Sequence, residues 1–81
     1  MASKAFYTLE LDNQAFGFKR PTIAQLDRYA AQLSRAPISA SLDFCMELVD
    51  NTEAWGQLVQ DRPGLAVRVA SAITEAMGFT V

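Results

Sequence analysis

Three carboxylates, Asp43, Glu47 and Asp50, recur at intervals of four and three residues, which sets them on one face of a helix. Oxygens in that number are what a hard cation takes. Calcium sites, however, gather them from a tight loop with glycine at a fixed place, and a helix face cannot wrap an ion in that way. The trio reads instead as a solvated acidic face able to pair with Arg28 and Arg35, and exposed pairs of that kind contribute about 0–1 kcal/mol each. Histidine, the side chain that most readily moves a proton near neutral pH, is absent. The single cysteine, Cys45, stands among apolar residues, where burial raises a thiol's pKa and no imidazole is available to activate it. Pro63-Gly64 lacks the lysine and spacing of a phosphate-binding loop and reads as a turn. The expectation is no catalytic residue, no metal site and no cofactor.

Charge narrows the classes of partner. Seven basic against nine acidic residues give a net charge of −2 and a pI near 4.8, which offers no general attraction to a phosphate backbone. Lys19, Arg20, Arg28 and Arg35 are the one basic concentration, with Phe16, Phe18 and Tyr29 close by in sequence. Without a dense basic helix they read as ordinary surface, and nucleic acid is not the expected partner. There is no apolar run of about 18 residues to span a membrane. The opening Met-Ala-Ser-Lys leads into strand-like sequence with no apolar signal stretch, and a lone cysteine suits a reducing compartment. A cytoplasmic location without membrane attachment is therefore expected.

The elements that would position these residues follow from periodicity. Tyr7, Leu9 and Leu11 alternate with Phe6, Thr8 and Glu10, the period of a half-buried strand. The polar trio Asp12, Asn13 and Gln14 interrupts, and Phe16 and Phe18 then alternate with Gly17 and Lys19, so residues 4–20 predict a β-hairpin. Thr22 stands three residues before Gln25, the spacing of a capping box, and Ile23, Leu26, Tyr29, Ala30 and Leu33 make one helical stripe over residues 22–35. Ala36-Pro37 breaks the run, and Ser39 or Ser41 can cap a second helix over 38–50. Its apolar set, Ile38, Leu42, Cys45, Leu48 and Val49 flanked by Phe44 and Met46, covers more than one side and predicts a central position. Asp50-Asn51-Thr52 caps a short helix over 52–61 containing Ala54, Trp55, Leu58 and Val59. A last helix, over 64–77, repeats Leu65, Val69, Ile73 and Met77, with alanines that permit close approach and Gly78 as its stop. The expected fold is a single α+β domain over residues 1–81, an N-terminal β-hairpin followed by a bundle of about four helices.

Apolar surface is what the chain has to work with. A two-stranded sheet consists of edges, and Phe6, opposite Tyr7 and Leu9, is offered to a neighbouring chain. Phe79-Thr80-Val81 is apolar beyond the last cap, and its expected course is to fold back. Phe6, Trp55 and Phe79 are the candidate protein-binding residues, each with a competing place in the core.

The order of motifs resembles the small tail assembly chaperones of long-tailed bacteriophages and prophages. The likeness rests on FKRPTIAQLDRY at residues 18–29 and WGQLVQDRPGLAVRVASAITEAMG at residues 55–78, with the apolar helix between them. An aromatic strand, a basic residue before Pro-Thr and a late Pro-Gly-Leu opening the last helix carry it. The hairpin turn departs from the pattern in having no glycine. The resemblance implies a non-catalytic protein of the host bacterial cytoplasm that binds the tape measure protein during tail morphogenesis, and it allows a homo-oligomer. It carries over no binding residue. The alternatives are a structural virion subunit, such as a head or tail completion protein assembling through hairpin edges, and a small DNA-binding regulator, which the charge disfavours.

Overall fold

The computed structural model describes residues 5–79. Strand β1 (Tyr7–Leu11) pairs antiparallel with β2 (Gln14–Phe18), and four helices follow: α1 (Ile23–Leu33), α2 (Pro37–Leu48), α3 (Thr52–Asp61) and α4 (Gly64–Ala76). This is the expected α+β arrangement of a hairpin and a helical bundle, with the first helix two residues shorter at its C-terminal end, the second starting one residue earlier at the proline and ending two earlier at Leu48, and the last ending one earlier at Ala76. Pro37 takes the first helical position, where its missing N–H is not needed.

The hairpin turn has two residues rather than three. Asp12 and Asn13 both adopt left-handed backbone, φ 51° and 64°, while Gln14 already belongs to β2 and pairs with Leu11. Two successive positive φ angles make the turn whose twist matches that of the flanking strands, and Asp and Asn tolerate it where most residues do not. No glycine is required. Register follows from the turn: Leu9 faces Phe16 and Tyr7 faces Phe18, so the apolar side chains of both strands share the face turned to the helices.

The outer edge of β2 is closed by the chain leaving α2. Lys19 N–H donates to the Leu48 carbonyl and Asp50 N–H to the Gly17 carbonyl, at 2.9 and 2.8 Å, and Phe18 forms a bridge with Val49. Gly17 is what permits this approach. A Cβ there would lie 3.0 Å from Asp50 Oδ2 and 3.1 Å from Ala5 Cβ, closer than side-chain carbons normally come.

Beneath the sheet, Phe16 and Phe18 meet Trp55 edge-on, with ring centroids 5.3 and 5.1 Å apart. Phe44, Leu48, Val69 and Ile73 continue the core. Helix α2 touches α1, α3, α4 and β2, the central position its two-sided apolar pattern predicts. Ser41 does not cap α2. It is buried and donates to the Pro37 carbonyl, and the helix begins from Ala36 without a side-chain cap. Elsewhere the caps are as read: Thr22 and Gln25 exchange both bonds of a capping box, Asn51 accepts from Ala54 N–H, and Gly78 ends α4 with φ 94°. Among the described residues, no helix is long and apolar enough to cross a membrane.

Gly17→Val should destabilise the protein by about 1–3 kcal/mol, the usual cost of overfilling a packed site. Urea unfolding followed by Trp55 fluorescence measures it; an unchanged midpoint would show that the hairpin need not lie against Asp50.

Candidate functional site

Helix α1 docks on α2 by a mixed contact. Its polar row faces the acidic row of α2: Gln25 Nε2 donates to Glu47 Oε1 at 3.1 Å, Arg28 reaches both Glu47 oxygens at 3.0 and 3.4 Å, and Gln32 Nε2 donates to Asp43 Oδ2 at 3.1 Å. These groups are largely exposed, so each tie adds little stability and mainly fixes the helix azimuth. The apolar part of the contact is the stacked pair Tyr29 and Phe44, 4.4 Å between centroids. Of the three carboxylates expected on one helix face, Asp43 and Glu47 share it and are engaged by α1 through Gln25, Gln32 and Arg28, whereas α2 ends at Leu48 and Asp50 lies beyond it, on the segment that seals β2; Arg35 makes no ion pair among the described residues. Those residues also contain no group of three or more His, Cys, Asp or Glu side chains arranged to hold a metal.

The consequence lies on the other side of α1. The helix is strongly amphipathic, yet no residue of it is fully buried. Ile23 is 79% exposed and Leu33 38% exposed, although both belong to the stripe that periodicity assigns to the core. Between this stripe and the end of α4 runs an open groove of about 350 Å³, lined by Leu26, Tyr29, Ala30, Leu33, Thr74 and Phe79 among others. Phe79 reaches it because the chain turns back at Gly78: Phe79 N–H donates to the Thr74 carbonyl at 3.1 Å, which reverses the backbone over the last turn of α4. Its ring stays 67% exposed at the groove's end. Thr80 and Val81, the rest of that apolar tail, lie outside the described residues.

The three candidate contacts therefore separate. Phe79 is on the groove. Phe6 is half-buried at the start of the hairpin, packed on the edge of the core with the Arg20 guanidinium 5.0 Å above its ring centroid, so it is not the bare aromatic that strand alternation suggests. Trp55 is 0% exposed and is a core residue, wedged under the hairpin, because α3 is short and its single large side chain must fill the space beneath the two phenylalanines of β2. Its indole Nε1 has no hydrogen-bond partner among the described residues, and burying such a donor unpaired costs about 1–3 kcal/mol. Ile23 and Leu33 are the surface residues that sequence reasoning placed inside; a helical stripe reports which residues are apolar and not whether a neighbour covers them.

Cys45 lies at the centre of α2, fully buried, its Sγ 3.4 Å from the Ala66 carbonyl. Burial pushes the thiol up from its ordinary 9.0 to about 12, with a main-chain contact at Ala70 offsetting part of the effect. It is a small apolar filler between α2 and α4.

Comparison with known proteins bears on this arrangement. Residues 8–81 match the family described as Domain of unknown function (DUF6848). The chain belongs to that family. The match begins at the second residue of β1 and includes β2, all four helices and the residues that line the groove. A solved structure, described as that of uncharacterised protein rbstp2171 from Bacillus stearothermophilus, is similar with a TM-score of 0.83 and 23% identity, covering 93% of this chain and 82% of that chain. At that identity the likeness is one of fold. No curated protein matches.

Trp55→Ala should cost about 3–5 kcal/mol of stability, the range for emptying a buried aromatic site, whereas Phe79→Ala should stay within about 0.5 kcal/mol as a surface change; denaturant titration of both separates core from surface. The thiol gives a pH prediction. Below pH 9 Cys45 is protonated folded and unfolded, so it contributes no pH dependence. Between the unfolded value of 9.0 and the folded value of about 12, only the unfolded chain ionises, and stability falls by about 1.4 kcal/mol per pH unit. The difference in unfolding free energy between the wild type and Cys45→Ala across that window isolates the effect; parallel curves would place the thiol in contact with water.

Proposed function

We propose that this protein is a non-catalytic tail assembly chaperone of a long-tailed phage or prophage, which holds apolar segments of the tape measure protein in the host cytoplasm until the tail tube takes them up. The observation that carries the reading is the groove beside α1, an amphipathic helix whose apolar stripe is left half open at the surface. A holding protein needs such a surface on a charged body and needs no reactive group. The order of motifs supports the same reading: the aromatic strand leading into the basic residue and Pro-Thr, and the late Pro-Gly-Leu, which here open α1 and α4.

The groove's form suggests the kind of segment it takes. It runs between a helix and a helix end and is walled by aliphatic and aromatic side chains, with Asp27 and Ser71 also lining it. A surface of that kind accepts the apolar face of an amphipathic helix, which seats side chains one turn apart and keeps its polar face in water. Tape measure proteins are long and prone to aggregate, and covering such faces one segment at a time would keep them apart.

Co-expression with the tape measure protein tests the proposal. The expected outcome is a larger soluble fraction of that protein with the wild type, and affinity reduced by about tenfold, or 1.4 kcal/mol, with the double variant L33E/F79E, whose substitutions fall on exposed positions that line the groove and spare the core. Solubility that does not respond to the wild-type chain would end this reading. If the protein instead appears in purified virions at fixed copy number, the alternative of a structural virion subunit takes its place.

A further inference from the structure

We propose that the outer edge of β1 pairs antiparallel with the same edge of a second copy of this chain, centred on Leu9, so that two hairpins join into one continuous sheet. The two-residue turn makes Leu11 and Gln14 a hydrogen-bonded pair, and alternation makes Leu9–Phe16 and Tyr7–Phe18 the next ones. The main-chain groups of Thr8 and Glu10 in β1, and of Ala15 and Gly17 in β2, accordingly turn outward. On the β2 side this is seen directly, since Gly17 gives its carbonyl to Asp50. On the β1 side nothing pairs with the outward groups among the described residues. Edge strands are commonly guarded by lysine or proline, and Tyr7–Leu11 contains neither.

Hydrogen-bond direction calls for an extended backbone there, and register and charge select a second copy. Pairing about Leu9 sets Thr8 opposite Glu10 of the other copy on both sides of the two-fold axis. Each apposition then exchanges a pair of N–H···O bonds that use every outward group of the strand. Centring on Glu10 would set like charges face to face. Centring on Thr8 would call on the Phe6 N–H, which already donates to the Phe18 carbonyl at 2.9 Å. The ends of β1 also differ in sign: Arg20 lies over Phe6 at the start of the hairpin, and Glu10 and Asp12 stand at the other end. An antiparallel pair about Leu9 sets Phe6 opposite Asp12 of the second copy, bringing Arg20 to its acidic end, twice by symmetry. Asp12 is available for this, because its contact with Arg62 is 3.8 Å long and its side chain is 70% exposed. Leu9 meets Leu9 on the face that continues the core.

This inference requires no other protein and stands apart from the groove. A single edge of this length is a small interface, so association in roughly the micromolar to millimolar range is expected. Sedimentation equilibrium over that range should show a monomer–dimer equilibrium. Amide exchange at Thr8 and Glu10 should slow as concentration rises, while Ala15, whose N–H also turns outward but from β2, serves as the unchanged control. Thr8→Pro removes a donor that the hairpin does not use, and Glu10→Arg sets a cation against Arg20; each should raise the dissociation constant about tenfold or more. A monomer at every concentration, exchange at Thr8 and Glu10 that ignores concentration, or a Glu10→Arg variant that associates as tightly as the wild type would overturn the proposal.

Discussion

The edge-on contact of Phe16 and Phe18 with Trp55 is what makes a hairpin at one end of the chain and a set of helices at the other into one structure. A two-stranded sheet alone is marginal in water. Here each inward ring of β2 stands edge-to-face with the indole, an arrangement that matches the positive rim of one ring to the negative face of another and adds to the area buried. Trp55 holds this place although its N–H meets no acceptor among the described residues, and the two ring contacts are what fix it there. The sealing of β2 against Leu48–Asp50 presupposes that the hairpin lies where this aromatic cluster puts it.

Most of what is local about the fold was open to reading in the sequence. Strand alternation, the capping box at Thr22, the Asn51 cap and the Gly78 stop depend on residues within four positions of one another, and each is present. The central place of α2 was also legible, because apolar residues on more than one side of a helix require neighbours on more than one side. The hairpin turn was misread by one residue. Gln14 is polar, and composition cannot tell a turn residue from the first residue of a strand whose side chain points to water.

What periodicity could not show was which surface covers which. The stripes of α1 and α4 look alike on paper, yet α4 buries Ala66, Val69, Ala70 and Ile73 while α1 buries nothing completely. The difference lies in the polar rows. Asp43 and Glu47 draw α1 toward α2 through Gln25, Arg28 and Gln32, and the rotation that satisfies them turns Ile23 and Leu33 out. Trp55 escaped in the opposite direction: a large aromatic on a short, mostly polar helix resembles an interface residue until the rings of β2 are known to sit above it.

The loose hold on α1 also bears on how the molecule moves. Local opening in proteins begins where few apolar contacts are given up, and the first helix, which buries no residue completely, is held by Leu26, by the Tyr29–Phe44 stack and by a row of solvent-bathed polar ties. It is bounded by Pro21 on one side and Pro37 on the other, residues whose fixed φ sets it off from its neighbours as a separate helix. Its release would uncover Phe44 and leave the contacts among the hairpin, α2 and α4 untouched.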